Sequence, residues 1–381
     1  MKAVGIVCEY NPLHRGHAWQ FRLIREKFGG DTAIICAMSG QYVQRGAPAV
    51  IDKSRRAAAA VRCGANLVLE LPVTVSLSSA EGFASGGVGI LSRLCDAICF
   101  GAEHADKDTL LQAADALLSP RFSLLLKEEL ETGKSFPAAR QAVLERLGLP
   151  PLTTPNDLLA VEYTKAVIRQ GSSVELFPIL REGAYHDRTL TPASPSATAL
   201  RSAMLCGRQW HAAVPPEALP DLEGARLHTL AAGERAILAR LRTMAEEEFE
   251  ALPYGSEGLW RKLMKESRRQ SSLEDVLTAV KSKRYTRTRL DRMVLCAFLG
   301  LTREWLETPA PYVRILAFDD TGRMLLKEHR EHGFLQNAGA AGTGAYWDLE
   351  KRCGDLYGLF CLSAPEPPGT EQLRRVQYIH R

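Results

Sequence analysis

The residues best suited to chemistry lie in one short turn, "EYNPLHRGH", residues 9–17. His14 and His17 are three apart, so at the start of a helix their imidazoles lie on nearly the same face. Pro12 breaks regular structure and restricts Asn11 before it. Gly16 lets a ligand approach the backbone with no Cβ in the way. Two imidazoles at a helix N-terminus suit the phosphates of a nucleotide, because they donate hydrogen bonds to oxygens that gain negative charge during displacement at phosphorus. A second set stands in "SATALR", where Ser196, Thr198 and Arg201 mark another helix start. Hydroxyls and exposed N–H groups there form an anion site, and Arg201 adds a charge-assisted contact. Neither G-x-x-x-x-G-K nor G-x-G-x-x-G occurs at the turn, so neither a P-loop nor a dinucleotide fingerprint is indicated.

The elements that must position these residues alternate in type. Strand candidates are "AVGIVCE" (3–9), "TAIICAM" (32–38), "ANLVLEL" (65–71) and "DAICFG" (96–101), each short and continuously apolar, as in strands covered on both faces. Between the first two lies a helix with Ala18, Phe21, Ile24 and Phe28 at helical spacing and Gly29 and Gly30 as its stop. A second, residues 52–64, has Asp52 as N-cap and Gly64 as stop. This alternation predicts an α/β, doubly wound parallel-sheet (Rossmann-like) domain, in which ligands bind beyond the carboxyl ends of strands. The turn at 9–17 is in that place. Residues 106–148 read as a helical insertion. A helix from Asn156, a strand at 172–180 and a loop with Pro192 and Pro195 then lead to Ser196. The catalytic α/β domain is expected to span 1–207, and 208–381 to form a mainly α-helical C-terminal domain. Two strand-like pieces, "YVRILAF" (312–318) and "LYGLFCL" (356–362), come near its end.

Composition narrows the class. The chain has 381 residues, 46% hydrophobic and 24% charged, close to a globular average. No run approaches the ~20 apolar residues of a membrane span, and the N-terminus lacks a signal-peptide pattern, so a cytoplasmic location is expected. Nine cysteines occur without a C-x-x-C pair, and no histidine–cysteine cluster completes the spacing around Cys95 and Cys99; no metal site is expected. The net charge of +4 says little, but its distribution says more. Between 261 and 292 basic residues dominate, and Lys281, Lys283, Arg284, Arg287 and Arg289 surround Tyr285, a pattern suited to RNA phosphates with a stacking platform. Lys53, Arg55, Arg56 and Arg62 form a smaller basic cluster, with Arg55 and Arg62 on one helix face.

"NPLHRGH" after the first strand resembles the H-x-G-H signature of the nucleotidyltransferase superfamily, whose HUP-type fold is related to that of class I aminoacyl-tRNA synthetases. The likeness goes further. "GIVCEYNPLHRGH", "MSGQYVQRGAPAVIDKSRRAAAAVRCGANLVLELP", "SSAEGFASGGV", "FGAEH", "PNDLLAVEY", "REGAYHD", "SATALR", "EGLWRKL", "KRYTRTRLDR" and "PYVRILAF" resemble the bacterial tRNA(Met) cytidine acetate ligase family almost from end to end.

That resemblance implies a two-step ligase. ATP and acetate give acetyl-adenylate and pyrophosphate, and the acetyl group then moves to N4 of the wobble cytidine of elongator tRNA(Met). ATP would be held by Val7, Cys8, Glu9, Tyr10, Asn11, Pro12, Leu13, His14, Arg15, Gly16, His17, Ala18, Trp19 and Gln20, with Gly101, Asn156, Arg181 and Glu182. His14 and His17 would stabilise charge on phosphate, and Ser196, Thr198 and Arg201 would grip the pyrophosphate side. Gln41 and Arg45 are candidates for an acetate wall, and tRNA contacts would come from the two basic clusters. No cysteine is given a covalent role, Mg2+ is left open, and no stable protein partner is inferred. Two alternatives are a small-molecule adenylyltransferase of the pantetheine-phosphate or nicotinamide-mononucleotide type, and a non-catalytic RNA-binding protein.

Overall fold

The computed structural model describes residues 1–180, 196–329, 335–337 and 344–380, leaving aside the side chains of Pro137 and Asn337. Arg181, Glu182, Pro192 and Pro195 lie outside the described residues. Ten strands are present among those described: β1 (Ala3–Cys8), β2 (Ala33–Ser39), β3 (Tyr42–Val43), β4 (Ala47–Pro48), β5 (Leu67–Leu71), β6 (Ala97–Ala102), β7 (Glu175–Leu180), β8 (Val313–Phe318), β9 (Leu335–Asn337) and β10 (Gln377–Tyr378). The main sheet runs β10-β8-β5-β2-β1-β6-β7, with β9 beside β8, and β3-β4 form a separate hairpin. β1, β2, β5, β6 and β7 are parallel to one another, whereas β8 runs antiparallel against β5.

Strand order reverses at β1. From there β2 and β5 extend one way, while β6 and β7 extend the other. The crevice beyond the carboxyl ends of β1 and β6 is therefore the topological switch point, the usual ligand position in an open α/β sheet. Val4 pairs with Ala97 and Gly5 with Ile98, and continuing that register sets Gly101 level with Cys8.

Helix α1 (Arg15–Phe28) buries Phe21 and Ile24 on the sheet and stops at Gly29, whose φ is +109°. Helix α2 (Lys53–Arg62) starts where Asp52 Oδ1 accepts from Ser54 N at 2.7 Å. Its buried Ala57–Val61 run lets it lie close to the strands. The helices Ala80–Leu91 and Pro155–Arg169 belong with the core built on Leu67, Ile98 and Phe100. Residues 106–148 form three helices, Lys107–Leu118, Pro120–Glu131 and Phe136–Arg146, as their sequence pattern predicts.

The C-terminal half builds its own helical core around Phe249, Trp260, Leu277, Phe298, Tyr357 and Phe360. It also returns to the sheet, since β8 and β10 extend it beyond β5. A division at 207/208 stands as a proposal about folding units that the sheet itself does not follow. One strand expectation is corrected: "LYGLFCL" is the end of the helix Ala345–Tyr357 followed by a 3₁₀ turn, Gly358–Phe360. Leu349, Cys353 and Tyr357 are buried at intervals of four, a helical period that outweighs the short apolar run after it. Among the described residues no helix is long and apolar enough to cross a membrane.

Candidate functional site

His14 is the N-cap of α1, and the cap is built from the two histidines themselves. His14 Nδ1 accepts from Gly16 N at 3.1 Å, and His17 Nδ1 accepts from His14 N at 3.2 Å. The two exchange a capping box normally made by Ser/Thr with Glu. Accepting at Nδ1 fixes each neutral ring as the tautomer with its proton on Nε2. The rings stack with centroids 3.7 Å apart and planes at 24°, and Tyr10 meets His17 edge-on at 4.9 Å. A Cβ on Gly16 would lie 3.0 Å from His14 Cε1, so glycine there leaves room for the ring. Together these features hold the two rings side by side at one helix start.

The rest of the segment holds that turn in place. Cys8, Tyr10 and Leu13 are buried in the core, and Val7 packs against Gly87 of the helix Ala80–Leu91. Burial pushes the Cys8 thiol well above its ordinary range, which suits a residue with no covalent role. The Asn11–Pro12 bond is cis. Asn11 is buried, and its Oδ1 accepts from Val50 N at 2.7 Å. Glu9 Oε1 accepts from Gln44 N at 2.8 Å. Gln20 reaches Cys99 Sγ on β6 at 3.3 Å. Arg15 and Trp19 are exposed and Ala18 is half-buried on α1, with the Arg22 guanidinium 3.7 Å above the Trp19 ring.

Arg201 is brought to the same turn. Its guanidinium donates to the Asn11 carbonyl at 2.7 Å and to Thr198 Oγ1 at 3.1 Å. It projects from the helix Ala197–Leu205, whose N-cap Ser196 accepts from Ala199 N at 3.1 Å. Two helix starts far apart in sequence, at residues 14 and 196, thus meet at the edge of β1.

Gly101 is exposed on β6, and a Cβ there would meet no atom within 4 Å. Asn156, at the start of the helix Pro155–Arg169, donates to Glu103 Oε1 at 2.7 Å, and Thr154 Oγ1 donates to Glu103 Oε2 at 2.7 Å. Asp157, fully buried, accepts from the backbone N–H groups of Glu103 and His104 at 2.9 Å each and pairs with His104 Nδ1 at 2.7 Å. Burial alone would raise the Asp157 carboxyl, but the His104 ring and these N–H groups hold it below its ordinary value. Glu103, Thr154 and Asp157 fix Asn156 at the end of β6, and the residue-by-residue reading of the sequence did not single them out. Polar residues directly after a strand's carboxyl end, and a Thr-x-x-Asp helix start, were the available signals.

Several expectations are corrected. Lys53 is buried, with Nζ 2.6 Å from Glu70 and 2.9 Å from Glu371, so it cannot face RNA. Arg56 is fully buried and donates to the carbonyls of Glu9, Ser39, Gly40 and Ile51, tying the ends of β1 and β2 together. Gln41 is buried, and its amide donates to Asp52 at 2.7 Å and accepts from Lys53 N at 3.2 Å. Arg45 is exposed in the β3-β4 loop. Arg55 and Arg62 do share a face, and both engage Asp221, at its carbonyl and its carboxylate.

In the larger cluster, Arg284 and Tyr285 both bind Glu257, at 2.9 and 3.0 Å. Arg287 makes a two-pronged pair with Glu274, at 2.7 Å each, and also binds Asp291. Arg289 donates to the Tyr254 carbonyl and to Ser256. Lys281 and Lys283 are exposed and have no carboxylate partner among the described residues.

The chain is similar to known proteins over its whole length. Residues 1–364 match the family model described as HIGH Nucleotidyl Transferase. The chain is 34% identical over 357 residues to a tRNA(Met) cytidine acetate ligase of Clostridium acetobutylicum, covering 87% of this chain and 88% of that one. It is 32% identical over 405 residues to the protein of the same name from Halalkalibacterium halodurans, covering 100% and 96%. The crystal structure of apo Thermotoga maritima TmcAL superposes with a TM-score of 0.91 at 29% identity, and the form bound with alpha-thio ATP with 0.89, each covering 100% of both chains.

Proposed function

Because the chain belongs to the tRNA(Met) cytidine acetate ligase family of HIGH nucleotidyl transferases, we propose that it activates acetate with ATP and transfers the acetyl group to N4 of the wobble cytidine of elongator tRNA(Met). The observation that carries this reading is the paired His14–His17 cap, two Nε2–H donors held at a helix start on the switch-point edge of the sheet.

In the first step a carboxylate oxygen of acetate attacks the α-phosphorus. The bond from that phosphorus to the bridging oxygen breaks, and pyrophosphate leaves. The enzyme has to align two anions and stabilise charge on phosphate oxygens. His14 and His17 donate to those oxygens, and Arg201 with Thr198 faces the departing pyrophosphate. The open space over Gly101 takes the adenosine, with Asn156 beside it; Arg181 and Glu182 complete the proposed set. Mg2+ would ride on the triphosphate oxygens as their counter-ion. In the second step the cytidine N4 attacks the acetyl carbon, AMP leaves, and N4 loses one proton.

For the RNA, Lys281 and Lys283 are proposed as phosphate contacts, with Arg284 and Tyr285 at the same turn. Arg287 and Arg289 brace that segment, and Arg55 and Arg62 offer a second basic face. The reaction would take place in the cytoplasm.

The test is incubation with ATP, labelled acetate and bacterial tRNA, followed by nucleoside analysis. Label in N4-acetylcytidine is expected. AMP transfer to a small phosphate compound, with no label in tRNA, would move the function to a small-molecule adenylyltransferase on the same fold.

A further inference from the structure

Away from the proposed active site, three side chains with metal-binding atoms converge where the chain crosses behind the catalytic turn. His228 is buried, and its ring nitrogens make no well-formed hydrogen bond among the described residues, with only the Glu366 carboxylate and the Arg226 backbone as polar neighbours at longer range. A buried imidazole so loosely satisfied calls for an explanation. Its Nε2 lies 3.5 Å from Glu366 Oε2, and one donor atom each from His228, Cys361 and Glu366 lie within 4.8 Å of one another. We propose that His228, Cys361 and Glu366 bind a divalent transition-metal ion, Zn2+ by the chemistry of their nitrogen, sulfur and oxygen donors.

The geometry is close to what the ion needs. Tetrahedral Zn2+, with bonds of about 2.0–2.3 Å, sets neighbouring donor atoms about 3.3–3.7 Å apart. The His228–Glu366 distance already fits, and the sulfur has to close by about 1 Å at most. His228 is fixed by stacking on Tyr357, with centroids 4.0 Å apart and planes at 19°. The backbone is fixed too: Leu362 N donates to Leu227 O at 2.8 Å and Thr229 N to Phe360 O at 2.9 Å.

Glu366 is partly exposed, which supplies an entry path and room for water as a fourth ligand. Its other oxygen, Oε1, pairs with Arg226 at 3.4 Å.

The ion would be structural. It would lock residues 226–229 to residues 361–366. His228 N donates to Val50 O at 2.9 Å, and Val50 N donates to Asn11 Oδ1 at 2.7 Å, so the clamp backs the turn that carries His14 and His17. The sequence carries no sign of this cluster, because Cys361 and Glu366 are distant in sequence from His228 and no C-x-x-C pattern marks them.

The test uses the full-length protein, freed of metal by a chelator and titrated with Zn2+ and with Co2+. One equivalent of Zn2+ is expected, with a rise in Tm. Co2+ is expected to give a thiolate-to-metal charge-transfer band that survives Cys206→Ser, which removes the exposed cysteine, and disappears in Cys361→Ser. Glu366→Gln, at the rim, is expected to weaken Zn2+ about tenfold or more while keeping the sulfur band. Absence of that band in the folded wild-type protein would overturn the assignment whatever the variants do. So would one equivalent of Zn2+ retained with unchanged affinity in both Cys361→Ser and Glu366→Gln.

Discussion

His14 and His17 owe their chemistry to which nitrogen the backbone occupies. Each Nδ1 accepts an N–H at the start of α1, so each neutral ring carries its proton on Nε2. His14→Ala and His17→Ala are each expected to lower kcat for acetate-dependent ATP–pyrophosphate exchange by about 10²–10³-fold, the usual loss for one preorganised donor. A loss below tenfold in both would mean that the turn does not hold the reacting phosphate. Gly16→Ala is subtler. Its Cβ would press on the His14 ring from 3.0 Å, so an exchange rate reduced about tenfold with little change in Tm is expected. The H-x-G-H spacing made these residues legible, because a helix start converts a spacing of three into a shared face. Asn11 was legible only as part of the turn; its bond to Val50 joins residues whose order in the chain says nothing about contact.

At the scale of elements, α2 and the strand ends it covers depend on Arg56. In the sequence Arg56 stands among other basic residues and reads as part of a nucleic-acid face. In the fold its guanidinium satisfies four carbonyls where β1 and β2 end. Arg56→Met is expected to cost about 3 kcal/mol or more in urea unfolding, because buried carbonyls would lose charge-assisted partners. An unchanged denaturation midpoint would refute that role. The segment before the helix Arg287–Leu299 behaves differently, since Lys281 and Lys283 are exposed at its entrance. Lys281→Ala and Lys283→Ala are each expected to weaken tRNA binding and reduce the salt slope by about 1, as for a lost phosphate contact. Arg287→Ala, which breaks the pair with Glu274, is expected to lower Tm more than it changes that slope. Filter binding across a salt series, read beside thermal melts, separates the two behaviours.

Across the whole molecule, one buried charge network joins the chain's distant parts. Lys53 of α2, Glu70 of β5, Arg314 of β8, and Glu371 and Arg374 near the C-terminus form it, with Asp52 at its edge. A cavity of about 20 Å³ lies among Lys53, Glu70, Arg314, Glu350 and Glu371, room for one water. Burial, with Glu70 nearby, pushes Glu350 from an ordinary 4.5 up to about 7, against the opposing pull of Arg314 and Tyr312. The folded state thus binds that proton more tightly than the unfolded chain does. Its contribution to stability is complete below pH 4.5 and is lost as pH rises through about 7. Glu350→Gln is therefore expected to gain Tm relative to wild type between pH 5 and pH 8, and parallel melting curves would contradict this. Glu371 has the opposite sign. Burial alone would raise it, but Lys53, Arg374 and Arg314 hold it down to about 2, so its contribution is present above 4.5 and lost as pH falls through about 2.

The sequence by itself determined the alternation of apolar strands with capped helices, the parallel sheet, the helical insertion and the H-x-G-H turn after β1. These follow from short-range rules: period, caps, stops, and the place of ligands at strand ends. Glu70 in "ANLVLEL" and Arg314 in "YVRILAF" interrupt apolar strands, and nothing in the sequence pairs them. Only the tertiary structure decided that β8 returns to the sheet beside β5, that Lys53 and Arg56 turn inward, and that Arg201 meets Asn11. It also decided that His228 meets Cys361 and Glu366. The physical reason is common to all four. A basic side chain has the same local pattern whether it faces solvent or a buried carboxylate, and contacts between residues far apart in the chain leave no periodic mark to read.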